Sequence, residues 1–148
     1  MIVSTRVEYG MMALLDIANN SENHVSVSTT EIAERQNISQ KYLEQILPLL
    51  RQAGLIRAQK GLRGGYSLSR SANVIKLSEV LNALDGSILA GMEVAEDGQG
   101  GSLRGVVNEC LWESINERIR EYAKNRTLGD LLEECRRKAA GSWADYII

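Results

Sequence analysis

The chain has 148 residues, 44% hydrophobic and 24% charged, with no Phe and a single Pro; this excludes general disorder and leaves Leu, Ile, Val, Ala and Met to build a core, which favours helices. No apolar run approaches the ~20 residues that span a bilayer, and the N-terminus, MIVSTRVEYG, lacks the apolar block and cleavage site of a secretory signal. Two cysteines far apart argue against a disulfide framework and fit a reducing cytoplasm, while the net charge of −2 hides a mild asymmetry: residues 1–70 hold eight Lys or Arg against six acids, residues 71–148 nine against thirteen.

Ser4 or Thr5 can cap a first helix with an apolar stripe of Val7, Met11, Leu14, Leu15 and Ala18, broken at Asn19-Asn20-Ser21. Val25 to Ser28 reads as a short strand available to a later hairpin. Ser28-Thr29-Thr30-Glu31 is a capping box, in which the Ser and Glu side chains satisfy backbone donors reciprocally; it opens a second helix to about Gln36. Asn37-Ile38-Ser39 is the turn, and Ser39 caps a third helix. Tyr42, Leu43, Ile46, Leu47 and Leu50 line one face of it. Pro48 lacks an N–H and its ring meets the carbonyl of Glu44, which predicts a kink. Gly54, at ease in a left-handed cap, stops the helix.

Leu55 to Gln59 and Tyr66 to Ser69 read as two short strands. Between them lies a glycine-rich tip with two cations, Lys60-Gly61-Leu62-Arg63-Gly64-Gly65. Two helices about three residues apart, followed by a cationic hairpin, suit a winged helix-turn-helix: helix in the major groove, hairpin on the flanking backbone or minor groove. The first turns of the third helix then supply the chemistry. Ser39 and Tyr42 can donate to phosphates and Lys41 can neutralise one; Gln40 lies on the same turn. Gln45 can pair with adenine and Glu44 can accept from cytosine N4. In the hairpin, Lys60 and Arg63 carry the charge, and Gly61, Gly64 and Gly65 let backbone approach closely. Arg6, at the start of the first helix, is a further phosphate candidate. The bland alternatives are a solvated helix face and a tight turn.

Ser71-Ala72-Asn73 is a link, and Leu77 to Leu84 a short helix closed by Gly86. Residues 91–102, GMEVAEDGQGGS, lack periodicity and read as a mobile loop. Leu103, Val107, Cys110, Leu111, Ile115, Ile119 and Tyr122 make a stripe over about five turns, with no partner for it within one protomer, which points to a dimerisation helix. Thr127-Leu128-Gly129-Asp130 starts a last helix with Leu128, Leu131, Leu132 and Cys135 inward. Arg136, Arg137 and Lys138 stand at its C-terminal end, where cations offset the macrodipole, and Gly141 ends it. The fold class expected is mainly α: a winged helix-turn-helix domain (1–86), a flexible loop (87–102), and a dimerisation helix, short helix and tail (103–148).

These pieces resemble the Rrf-two (Rrf2) family of bacterial winged-helix regulators. The matching motifs are Ser4-Thr5-Arg6 with Tyr9; Ser39 with Tyr42-Leu43-Glu44-Gln45-Ile46; Leu50-Arg51 with Ala53-Gly54-Leu55-Ile56; Lys60-Gly61 with Gly64-Gly65-Tyr66 and Leu68; Leu77-Ser78-Glu79-Val80; and Thr127-Leu128 with Asp130-Leu131. The resemblance implies a homodimeric transcriptional regulator, usually a repressor, on a pseudo-palindromic operator. It also exposes two departures. Members with an iron–sulfur cluster hold it with closely spaced cysteines before the dimer helix, and residues 87–109 contain none, so no cofactor is expected. Glu8 stands where many members are basic. By pattern the cluster-free cysteine-metabolism repressors are the nearest branch. In that branch the regulator pairs with a cysteine synthase, which makes Asp145, Tyr146, Ile147 and Ile148 candidate partner-binding residues; the alternative is a tail packed on its own dimer.

Cys110 and Cys135 are expected to be small buried hydrophobes, with a thiol sensor as the rival reading. His24 reads as a surface loop residue, and Trp112 and Trp143 as packing or interface residues. One histidine and no convergent acid pair give no enzyme.

Overall fold

The computed structural model describes residues 3–22, 25–94 and 101–139. Helix α1 (Thr5–Asn20) begins where the Ser4 hydroxyl accepts from the Val7 N–H at 3.3 Å. Its buried side is Val7, Gly10, Ala13, Leu14, Ile17 and Ala18, with Asp16. Met11 and Leu15, expected on the stripe, are half-buried at its edge. The buried face is centred on Gly10, whose missing side chain admits Leu84: a Cβ there would meet Leu84 Cδ1 at 2.7 Å. A stripe read from large apolar residues alone is therefore rotated away from the true contact.

Helix α2 (Thr29–Gln36) opens on the expected capping box, Glu31 N–H to Ser28 Oγ at 3.1 Å and Ser28 N–H to the Glu31 carboxylate at 3.2 Å. It ends on Asn37 in the left-handed region (φ 54°). Helix α3 (Gln40–Gln52) is capped by Ser39, which accepts from the Tyr42 N–H at 3.1 Å. Leu43, Ile46, Leu47 and Leu50 are buried. The helix continues through Pro48 without interruption, because Pro48 sits on the exposed side and the Glu44 carbonyl it leaves without a helical donor is on that side too. Its end is a Schellman cap. Leu55 N–H bonds Leu50 C=O at 3.0 Å, Gly54 N–H bonds Arg51 C=O at 3.0 Å, Gly54 takes φ 75°, and Leu55 is buried.

Strands β1 (Ile56–Gln59) and β2 (Gly65–Leu68) pair antiparallel, with Arg57 opposite Ser67 and Gln59 opposite Gly65. Of the strand expected at 25–28, Val27 alone pairs. It exchanges two backbone hydrogen bonds with Tyr66, at 2.8 and 2.7 Å. A 3₁₀ turn (Ala72–Val74) leads to α4 (Leu77–Asp85) and to a one-turn α5 (Ser87–Ala90) that the sequence reading placed in the loop segment.

The long helix is three pieces in unbroken succession: α6 (Leu103–Val107), a π turn (Asn108–Trp112) and α7 (Glu113–Asn125). The π turn corrects the expected regular stripe, because one extra residue in a turn shifts the phase of everything before it. Cys110, expected to be buried, is exposed on this turn within the protomer. Helix α8 (Leu128–Lys138) has a second capping box, between Thr127 and Asp130. It ends at Lys138 with Ala139 as cap, before Gly141, which lies outside the described residues. Backbone bonds from Leu77 N–H to Arg126 C=O (2.9 Å) and Leu128 N–H to Ile75 C=O (2.8 Å) clip the start of α8 to the start of α4. Leu128 and Leu132 thereby join Leu14, Ile17, Leu43, Ile46, Leu47 and Leu50 in one core, where each fully buried side chain contributes about 1.5–3 kcal/mol. No helix of the described residues is long and apolar enough to cross a membrane.

Candidate nucleic-acid interface

The core decides which side of α3 is left outside. With Leu43, Ile46, Leu47 and Leu50 inward, Lys41, Glu44, Gln45 and Pro48 form the opposite stripe, and all four are exposed. Ser39 and Gln40 are exposed at the same end. The structure therefore brings five of the six α3 residues chosen from sequence onto one solvent face. Two carry structural duties as well. Ser39 Oγ is the helix cap, and the Gln40 amide donates to Thr30 Oγ1 at 2.7 Å, which ties α3 to α2. Tyr42 is half-buried. Its ring packs edge-on against Tyr9, centroids 5.4 Å apart, and joins α3 to α1.

The carboxylate of Asp16 ties α2 to α1. It is fully buried and accepts from Arg35 Nε at 2.9 Å, Arg35 Nη2 at 2.8 Å and Gln36 Nε2 at 2.8 Å. The hydrogen bonds that Arg35 donates to Asp16 raise the Arg35 pKa further and keep it charged. The sequence reading missed Asp16; its one signal is an acid inside an otherwise apolar helical face.

The wing tip is closed by Gly64 N–H to Gly61 C=O at 2.9 Å, which puts Leu62 and Arg63 on the two corners of a turn. Lys60, Gly61, Leu62 and Arg63 are all exposed, Leu62 completely. The three glycines differ. Gly61 has φ 115° and open space around it. A Cβ on Gly64 would lie 2.6 Å from Gln59 O, and one on Gly65 2.5 Å from Val27 O, so these two glycines are required by the hairpin's own backbone. Arg6 is half-exposed and lies 3.9 Å from Asp85. At the wing's foot, Arg70 pairs with Glu79 at 2.6 Å. That hydrogen bond, with one from the Lys76 N–H, holds the Glu79 carboxyl below its ordinary range. Asp145, Tyr146, Ile147 and Ile148, with His24 and Trp143, lie outside the described residues.

Residues 3–134 match the family model described as "Rrf2: Iron-dependent Transcriptional regulator". The chain belongs to the Rrf2 family. Among curated relatives, this Rrf2 chain is 37% identical over 134 residues to the HTH-type transcriptional regulator IscR of Klebsiella pneumoniae (strain 342), covering 89% of this chain and 80% of the relative. Among solved structures it resembles CymR (YrzC), the global cysteine regulator of B. subtilis (TM-score 0.79, 29% identity, 90% and 98% of the two chains). It also resembles T. potens IscR (TM-score 0.73, 33% identity, 93% and 90%). The relatives are transcriptional regulators, not enzymes, and the winged-helix DNA-binding architecture expected from the motifs is the one found.

The family description names iron, and the donor set of this Rrf2 chain does not fit an iron–sulfur cluster. The sequence has two cysteines and one histidine. Cys110 is on the π turn and Cys135 on α8, where burial pushes its thiol pKa up and so favours the neutral form. Among the described residues no group of three or more His, Cys, Asp or Glu converges.

Proposed function

We propose that two copies of the chain form a dimer that represses transcription by binding a pseudo-palindromic operator, with genes of cysteine or sulfur metabolism as its targets. The observation that carries the DNA reading is the exposed stripe of Lys41, Glu44 and Gln45 on α3, with Lys60 and Arg63 on the adjoining wing. In this reading Lys41, Tyr42 and the Ser39 O–H serve phosphates; the Ser39 cap uses only an oxygen lone pair, so its proton is still a donor. Glu44 and Gln45 read bases, and the wing cations follow the flanking backbone or minor groove. Dimerisation is supported by the exposed apolar residues of the long helix, and the sulfur assignment by the likeness to CymR.

The test is selection of bound fragments from a genomic library, then titration of the selected operator with wild type and variants. Lys41→Ala and Arg63→Ala will each weaken binding on every sequence and lower the slope of log affinity against log salt by about one unit. Gln45→Ala will relax base preference instead, by about 1–3 kcal/mol at one position of each half-site. An unchanged salt slope for Lys41→Ala removes that lysine from the interface.

A further inference from the structure

We propose that the cleft between the wing and α8 binds a free α-amino acid, with the ligand carboxylate on Arg57 and its ammonium group on Glu133. The cleft holds about 890 Å³, a size typical of small-molecule sites. Its walls come from parts of the chain more than a hundred residues apart: the C-terminal end of α1, the strands of the wing, the link at 69–73 and the first turns of α8. The α8 wall is set close to the link, because the Asn73 side chain occupies the space a Cβ on Gly129 would need.

The charges in this cleft sort into committed and uncommitted ones. Arg70 is held by Glu79 at 2.6 Å. Arg136 is held by Asn19 Oδ1 and by Glu22 at 3.6 Å. What remains is one cation and one anion. Among the described residues Arg57 has no carboxylate partner; its Nε donates to the Ser67 hydroxyl at 3.3 Å. Glu133 has no ion-pair partner among them either, whereas its neighbour Glu134 pairs with both Arg126 and Lys138. A guanidinium prefers a carboxylate it can meet with two parallel N–H donors, and a lone carboxylate prefers an ammonium. Ser67, Ser69 and Ser71 also line the cleft. A zwitterion carries a counter-charge for each of these two groups; a simple anion or a simple amine carries one for only one of them.

The position links such a ligand to DNA. Arg57 lies on β1, the strand that runs into Lys60 at the wing tip, and Glu133 lies on α8, which is clipped to the body of the domain at Leu128. A ligand spanning them joins the wing to the body and favours one wing position over others, which changes operator affinity by the ratio of its affinities for those positions. This coupling, unlike the binding itself, rests on the wing being a DNA contact.

The experiment uses the full chain. Melting temperature and titration calorimetry are read against each of the twenty proteinogenic L-amino acids at millimolar concentration. The strongest binder is then compared with its analogues lacking the amine or the carboxyl group. Expected is saturable binding of at least one amino acid, a loss of about tenfold or more with either analogue, and a similar loss in Arg57→Gln and in Glu133→Gln, with both variants melting as the wild type does without ligand. No binding across the panel, or binding unaffected in Glu133→Gln, overturns the site. Should Arg57→Gln fail to fold, Glu133→Gln and Ser67→Ala decide alone. Operator affinity with and without the bound amino acid is expected to differ by threefold or more; binding that leaves this affinity unchanged overturns the coupling. A protein that binds the amino acid and no genomic fragment leaves the site standing and refutes the DNA reading instead.

Discussion

Asp16 is the one charged side chain that is buried among the described residues, and its environment is complete: two bonds from Arg35 and one from Gln36. A buried pair of this kind adds less than its Coulomb energy suggests, since both ions were well solvated in the unfolded chain, but breaking one half strands the other. Asp16→Ala is therefore expected to destabilise by about 3 kcal/mol in denaturant titration, while a double change to Asp16→Leu with Arg35→Met will recover a large part of that loss. Glu79 makes a different prediction. Its folded carboxyl titrates below its ordinary value of 4.5, chiefly because Arg70 donates to it. A carboxylate depressed in the folded state contributes stability above its unfolded pKa and loses it as pH falls through the folded one. The melting-temperature gap between wild type and Glu79→Gln will thus be constant near neutrality and shrink as pH falls below about 4.5. A gap that stays constant down to pH 3 contradicts the role given to the Arg70 pair.

The elements divide into those with a local signature and those set by contacts distant in sequence. Ser28 and Ser39 cap the helices they were expected to cap, Ser4 rather than Thr5 caps α1, and Thr127, expected at the start of the last helix, is its cap; each is legible because a cap is a relation between residues two or three apart. The Gly54 stop is legible for the same reason. The π turn has no such signature, and neither has the rotation of α1 about Gly10, since both depend on which element lies opposite. The same limit holds at the site. The exposed stripe of α3 follows from its apolar periodicity, but the tie from Gln40 to Thr30 and the packing of Tyr42 on Tyr9 do not. Glycine shows the difference most clearly: Gly61, Gly64 and Gly65 look alike in sequence, and only the structure separates an open corner from two positions closed by backbone. Gly65→Ala would press its Cβ to 2.5 Å from Val27 O and 2.6 Å from Val27 C, atoms that cannot swing aside. It is expected to cost about 1–3 kcal/mol and to displace the wing, so operator affinity falls while amide signals of α3 keep their positions. Gly61→Ala, facing open space but at φ 115°, will report backbone strain alone, without the collision.

At the scale of the whole molecule the long helix is the element with the least of its apolar surface covered within the described residues. Only Asn116 and Ala123 of α7 are buried. Asn116 is used inward, its amide bonding both Met92 N–H (2.8 Å) and Met92 C=O (3.0 Å), which holds the segment after α5 against the helix. Leu111, Ile115 and Tyr122 fall on the other side, one turn and two turns apart, with Trp112 beside them, and all four are exposed. Apolar residues in that number on a single helix face are costly in water, and in the proposed dimer they form the seam with the second copy. Replacing Leu111 and Ile115 by Glu puts two like charges on each side of such a seam, four in all, while leaving the core of the winged domain untouched. The expected result by sedimentation equilibrium is a folded monomer with the helical content of the wild type. Its operator affinity will fall by about 10²–10⁴, because the second half-site contact ceases to be intramolecular. Its affinity for a single half-site will match that of the wild type. A double variant that still sediments as a dimer places the seam elsewhere on the molecule, and one that loses half-site binding as well shows that the helix supports the reading face directly.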